Sequence, residues 1–205
     1  LKSVSASLSE TMKVVRSVEE LDILRGFEGN AAVQYNSVFD ELILQQKDHF
    51  FFRGRNKRPP LDNVNALLSF AYTLLANDMK SALESVGLDA YVGFLHRDRP
   101  GRASLALDMM EELRGVYADR FVISLINKRI INHKGFYQKE NGAVIMDEET
   151  RKKVIMEWQE RKQDKIQHPF LNENISWGLV LYAQALLLAR YIRGDLDEYP
   201  PFFWK

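Results

Sequence analysis

An all-α fold with one small β-hairpin is predicted for this 205-residue chain, on three observations. Apolar residues recur at helical spacing through 18–44, 63–86 and 105–131, and helical runs return at 148–165 and 177–192. Glycine and proline punctuate the joins between these runs. Strand signals are confined to FYQKENGAVIM, residues 136–146, where an Asn-Gly pair between two short extended runs predicts a hairpin.

Taken in order, residues 6–16 read as a helix or the end of one. Ser17 and Glu20 then stand at capping-box spacing and start the helix of 18–44, which is expected to end near Lys47. Its stripe is Leu24, Phe27, Ala31, Tyr35, Val38 and Leu42, and Glu28 falls in the middle of it. A charge on a buried face is costly unless paired or bound to a metal. Glu28 therefore needs a cation, a buried arginine or a proton, and the small residues Gly26, Gly29, Ala31 and Ala32 leave room for one to approach.

Residues 49–62, HFFFRGRNKRPPLD, gather Arg53, Arg55, Lys57 and Arg58 around Gly54. A solvated surface loop and a phosphate-gripping loop are both consistent with such a run. Asp62 is placed to cap the helix of 63–86, whose apolar face includes Val64, Leu67, Leu68, Ala71 and Leu75, and Gly87 stops it. Asn65 near its start reads as a structural hydrogen-bonder.

GFLHRDRPGRASLALDMMEELR, residues 93–114, organises the rest. His96 ends a short apolar run, Arg97, Arg99 and Arg102 follow it, and Ser104 is placed to cap a helix over 105–131. Asp108, Glu111 and Glu112 project from one side of that helix. At roughly 100° per residue, Glu111 falls nearest the apolar stripe while Asp108 and Glu112 point further towards water. The segment reads as half of a metal site, with Glu111 the best-placed carboxylate.

After the hairpin, Asp147 is placed to cap a charged helix whose buried side is Val154, Ile155 and Trp158; His168-Pro169 breaks the chain, a buried helix covers 177–192, and the aromatic tail EYPPFFWK docks on the body. The chain has no cysteine, which excludes disulfides and thiolate zinc sites. Its formal net charge is zero, so nucleic-acid binding requires a local basic patch. No apolar run approaches the roughly 18 residues of a membrane span, and a cytoplasmic protein with no membrane partner is expected.

The runs LRGFEGNAA, FRGRNKRPPLDNVNALLSFAYTLL, GFLHRDRPGRASLALDMMEELR, INKR, GAVIM, WQERK, HPFL and QALLLARYIRGDLDEYPPFFW resemble the C-terminal helical domain of the CRISPR-associated endonucleases and integrases of spacer acquisition, the Cas1 family, and within it the I-C (Dvulg) branch. The resemblance covers residue 17 to the end. It implies a metal site formed by Glu28, His96 and Glu111, with Asp108 as a neighbouring acidic position. It also implies that residues 1–16 are the linker or first helix after an N-terminal β-rich domain, and that 17–205 form the catalytic domain.

Two carboxylates and one imidazole suit Mn²⁺ or Mg²⁺, the imidazole favouring Mn²⁺. Such an ion acts as a Lewis acid on a phosphodiester. The resemblance implies DNA, double-stranded or branched, as substrate, and a 3′-hydroxyl as the attacking group. Arg53, Arg55, Arg58, Arg97, Arg99 and Arg102 are expected to hold its phosphates. A homodimer and the small second adaptation protein, Cas2, are the implied partners. Two other readings stand beside this one. One is a different divalent-metal nuclease or phosphoesterase; the other is a non-catalytic helical DNA-binding or scaffold module in which Glu28 pairs with a buried arginine and His96 is structural.

Overall fold

The computed structural model describes residues 1–97 and 99–204; Lys205 of the predicted docking tail lies outside them. Among the described residues the helices are α1 (Lys2–Val15), α2 (Leu21–Val38), α3 (Asn63–Ser85), α4 (Ser104–Leu113), α5 (Arg120–Asn127), α6 (Glu148–Arg161) and α7 (Trp177–Ile192). The strands are β1 (Phe136–Gln138), β2 (Val144–Met146), β3 (Lys165–Gln167) and β4 (Asn174–Ser176). The chain is thus mostly helical, as its periodicity predicts.

Several boundaries follow from local chemistry. Asp62 Oδ1 accepts the N–H of Asn65 at 2.7 Å and caps α3. Gly87, at φ 82°, closes that helix with Leu88 N–H bonded to Leu83 O. Asp147 accepts the N–H of Thr150 and caps α6. The predicted hairpin forms with Phe136 opposite Met146, and Gly142 supplies a positive φ of 81° in its turn.

Other expectations are corrected. α2 begins at Leu21 after Glu20, without a side-chain cap, so the Ser17–Glu20 box does not form; Ser17 Oγ instead donates to Val14 O at the end of α1. α2 also stops at Val38, where a 3₁₀ turn, Phe39–Leu42, takes over. Ser104 is the first residue of α4 and is buried, with Ala103 in the cap position. The run expected over 105–131 contains a π-helical turn, Arg114–Asp119, between α4 and α5. Ile155 is exposed rather than buried.

A second hairpin, β3 with β4, was absent from the predicted pattern. Its connecting loop is ordered by the buried His168, whose Nδ1 accepts the N–H groups of Phe170 and Leu171 at 3.3 and 3.2 Å. Three-residue strands carry too little alternation to be seen by period alone.

The chain forms two compact units. The first comprises residues 1–67 and 123–146. In it Phe39 packs on Phe52 and Phe50 on Phe136. The 44–46 segment is tied to the end of α5 through Asn127 Oδ1, which accepts Leu44 N–H at 2.8 Å, and Gln46 Nε2, which donates to Ile126 O and Ile131 O.

The second unit comprises residues 68–122 and 147–205. Its centre is an aromatic cluster in which Tyr117 packs edge-on against Trp158 and tilted against Trp177, and Trp177 meets Phe202 of the tail. Trp158 Nε1 donates to Asp78 at 2.9 Å, which satisfies the indole N–H beneath the surface.

Candidate functional site

The segment carrying His96 is laid along the first turns of α4. A helix start leaves N–H groups without intrahelical partners; here Leu105 and Ala106 donate to Ala90 O at 3.0 and 3.3 Å. Gly93 makes the close approach. A Cβ at that position would stand 2.7 Å from Ser104 Cβ and 2.8 Å from Asp108 Oδ2, closer than real contacts allow.

Asp108 then fixes the loop. Its Oδ2 accepts the N–H groups of Phe94 and Leu95 at 2.6 and 3.0 Å, and its Oδ1 accepts the His96 N–H at 2.9 Å and the ring Nδ1 at 2.6 Å. Burial by itself would raise the carboxyl pKa, but the bonds from the His96 ring and the three backbone N–H groups outweigh it and hold Asp108 below the usual carboxylate range. An ionised Asp108 can only accept, so it faces a protonated Nδ1, the tautomer that in a neutral ring leaves Nε2 as the acceptor nitrogen. That is the carboxylate–histidine arrangement that orients a metal-ligating imidazole.

This reverses the angular expectation for the helix. The Asp108 side chain is 10% exposed and that of Glu111 36% exposed. A wheel drawn from the apolar stripe cannot include a loop that covers a polar side of the helix. Glu112 is likewise half-buried, not directed to water. It accepts from Gln184 Nε2 at 2.8 Å, Tyr199 Oη at 2.8 Å and Phe202 N–H at 3.0 Å. Burial outweighs those bonds and raises its pKa.

Glu111 lies three residues beyond Asp108 on α4, on the same side of the helix. Its two oxygens are 3.1 and 3.0 Å from Arg114 Nη1. Behind Arg114 stands the ring of Tyr72, and Tyr72 Oη donates to the buried Asp119 at 2.5 Å. Neither Tyr72 nor Arg114 had a signal in the sequence, because each gains its role from a neighbour on another element or another turn.

Glu28 is in the first unit, and the premise that it sits on a buried face is corrected. It is exposed, and α2 has no fully buried residue. The stripe forms as a half-buried face, and a Cβ built on Gly26 or Gly29 meets nothing within 4 Å. The space read from those glycines is therefore open.

Of the basic residues, Arg53, Arg58, Arg97 and Arg99 are exposed, while Arg55 and Arg102 are half-buried. Arg53 lies over the Phe51 ring at 5.0 Å. Arg55 donates to Asn56 O and to Asn65 Oδ1, at 2.5 and 2.7 Å. Asn65, fully buried, also donates to Gly54 O and Asp62 Oδ2, which matches its structural reading. Arg53, Gly54 and Arg55 line a cleft of about 570 Å³ with Val33, Asn36 and Phe52.

Among the described residues, no group of three or more His, Asp or Glu side chains is gathered as a metal cage. The oriented imidazole of His96 and the Glu111 carboxylate, three residues beyond Asp108 on α4, fit a hard divalent ion by donor type. No helix among the described residues is long and apolar enough to cross a membrane.

A model of the family described as CRISPR associated protein Cas1 matches residues 1–160. The chain is 58% identical over 193 residues to a CRISPR-associated endonuclease Cas1 of Rhodospirillum rubrum, covering 94% of this chain and 56% of that relative. It therefore spans little more than half the length of that curated relative. A casposase bound to its integration product superposes with a TM-score of 0.84 at 26% identity, covering 95% of this chain and 55% of the casposase. A Cas6-RT-Cas1–Cas2 complex gives a TM-score of 0.83 at 25% identity, over 99% of this chain and 22% of the matched one.

Proposed function

The chain belongs to the Cas1 family, and from that premise we propose that it is the helical catalytic part of a divalent-metal-dependent DNA endonuclease and integrase of CRISPR adaptation. The observation that carries the reading is the His96 ring, held through Nδ1 by Asp108, three residues before Glu111 on α4. Superposition on a casposase bound to an integration product supports DNA joining as the reaction class.

Glu28, His96 and Glu111 are the residues proposed to hold Mn²⁺ or Mg²⁺. When bound, the ion supplies Lewis-acid stabilisation to the charge that develops on the phosphodiester. The chain's own part is to present ligands and place DNA. Asp108 keeps the proton on His96 Nδ1 and so keeps Nε2 available. Arg53, Arg58, Arg97, Arg99 and Arg102 grip phosphates, and Arg55 does so while bracing its loop. The attacking group is a 3′-hydroxyl of the incoming DNA, and cleavage of branched DNA uses the same site. A homodimer and Cas2 are the proposed partners; likeness to a solved complex containing Cas1 and Cas2 supports the second. The sequence runs quoted above support the further reading that the chain is of the I-C branch and follows an N-terminal β-rich domain.

The test is strand joining and branched-DNA cleavage in Mn²⁺ or Mg²⁺ by the protein and its Glu28→Ala, His96→Ala and Glu111→Ala variants. Loss of both reactions by at least about a hundredfold, with unchanged melting, supports the assignment. Cleavage without joining would favour a different nuclease; full activity in all three variants would end the metal reading.

A further inference from the structure

The guanidinium of Arg114 is paired with the Glu111 carboxylate. One nitrogen, Nη1, is 3.1 Å from Oε1 and 3.0 Å from Oε2 of Glu111. A single cationic group thus straddles the carboxylate, much as a hard divalent ion can.

More than an exposed ion pair holds it there. The guanidinium carbon lies 4.8 Å from the centroid of the Tyr72 ring, a cation–π distance. Tyr72 is anchored in turn by its hydroxyl bond to Asp119. Asp119 ends the π-helical turn and is buried there with Tyr117 and Ala118. The guanidinium keeps its charge in proteins at any ordinary pH. It cannot leave Glu111 by losing a proton, so an incoming ion must displace it.

We propose that Arg114 is a placeholder cation for Glu111, which holds both carboxylate oxygens in the ion-free protein and thereby sets the divalent-ion affinity of the site. The inference rests on the proposed ligand role of Glu111. Arg114 is a positioning residue that acts through Glu111, and its removal relieves competition for the carboxylate.

The experiment is calorimetric titration of Mn²⁺ into the protein and its Arg114→Gln, Arg114→Lys and Glu111→Gln variants at low ionic strength. Arg114→Gln is expected to bind Mn²⁺ about threefold to tenfold more tightly than the parent, and the gain should shrink in about 0.5 M salt as charge is screened. Arg114→Lys keeps the charge and should stay near the parent. A purely structural Arg114 would move the melting temperature and leave Mn²⁺ affinity alone. Unchanged or weaker binding in Arg114→Gln, with binding lost in Glu111→Gln, overturns this inference and leaves the metal reading standing. Mn²⁺ binding in Glu111→Gln equal to the parent, or none in the parent, overturns both.

Discussion

Asp108 and Glu112, one turn apart on α4, hold two different segments of the second unit and are pushed in opposite electrostatic directions. Asp108 gathers the His96 loop through four hydrogen bonds, which depress its pKa despite burial. Glu112 gathers the C-terminal tail through Tyr199 and Phe202, with Gln184 between them, and burial raises its pKa. The same helix therefore carries the candidate catalytic loop and the tail on neighbouring carboxylates.

Replacing Asp108 with Asn preserves shape and removes the charge that selects the His96 tautomer. DNA cleavage and joining are expected to fall about tenfold to a hundredfold, and stability to drop by about 1–3 kcal/mol because the amide nitrogen cannot accept the two bonds of the oxygen it replaces. Asp108→Ala leaves several donors without an acceptor and should cost about 1–3 kcal/mol in denaturant unfolding. Parent-like kinetics in Asp108→Asn would refute the orienting role.

Gly93→Ala forces a methyl against Ser104 and Asp108. The loop must lift from α4, at a cost of about 1–3 kcal/mol, and His96 moves with it. Faster amide exchange at residues 94–96, together with lost activity, would be the signature; an unchanged exchange pattern would contradict the close approach.

The two carboxylates give opposite pH signatures. The depressed pKa of Asp108 means that its stabilisation is complete above the ordinary aspartate value, about 3.9, and is lost as pH falls through the lower folded value. The His96 loop should therefore open only below about pH 4. For Glu112 the folded state favours the proton, so its contribution to stability improves as pH falls from above its raised pKa towards the ordinary glutamate value. Melting followed from pH 7 to 3, with Glu112→Gln removing the second component alone, separates the two.

Tyr199→Phe deletes a hydroxyl that donates to Glu112 and accepts from Gln184 at 2.7 Å. The expected loss is about 1–3 kcal/mol, concentrated in the tail. Since Phe202 and Trp204 both pack on Trp177, tail release should be read by tryptophan fluorescence before global unfolding.

Arg53 and Arg55 should behave differently although they are two residues apart. Arg53→Ala should weaken DNA binding uniformly across sequences and lower the salt slope by about one. Arg55→Ala should also destabilise the loop, because Arg55 bonds Asn56 and the buried Asn65. Identical melting of the two variants would contradict that division.

Periodicity and turn chemistry determined most of the helices, the first hairpin and the caps at Asp62 and Asp147, because these depend on residues within a few positions of one another. The motif runs pointed to the family, which the comparisons then showed, and the His96–α4 segment stood out by its residue types alone. Tertiary structure decided what spacing could not. It buried Asp108 beneath a loop, turned Glu112 to the tail, left Glu28 exposed on a half-covered helix and set Arg114 between Glu111 and Tyr72. Each of those outcomes depends on what covers a helix face, and a helical wheel contains no information about its cover.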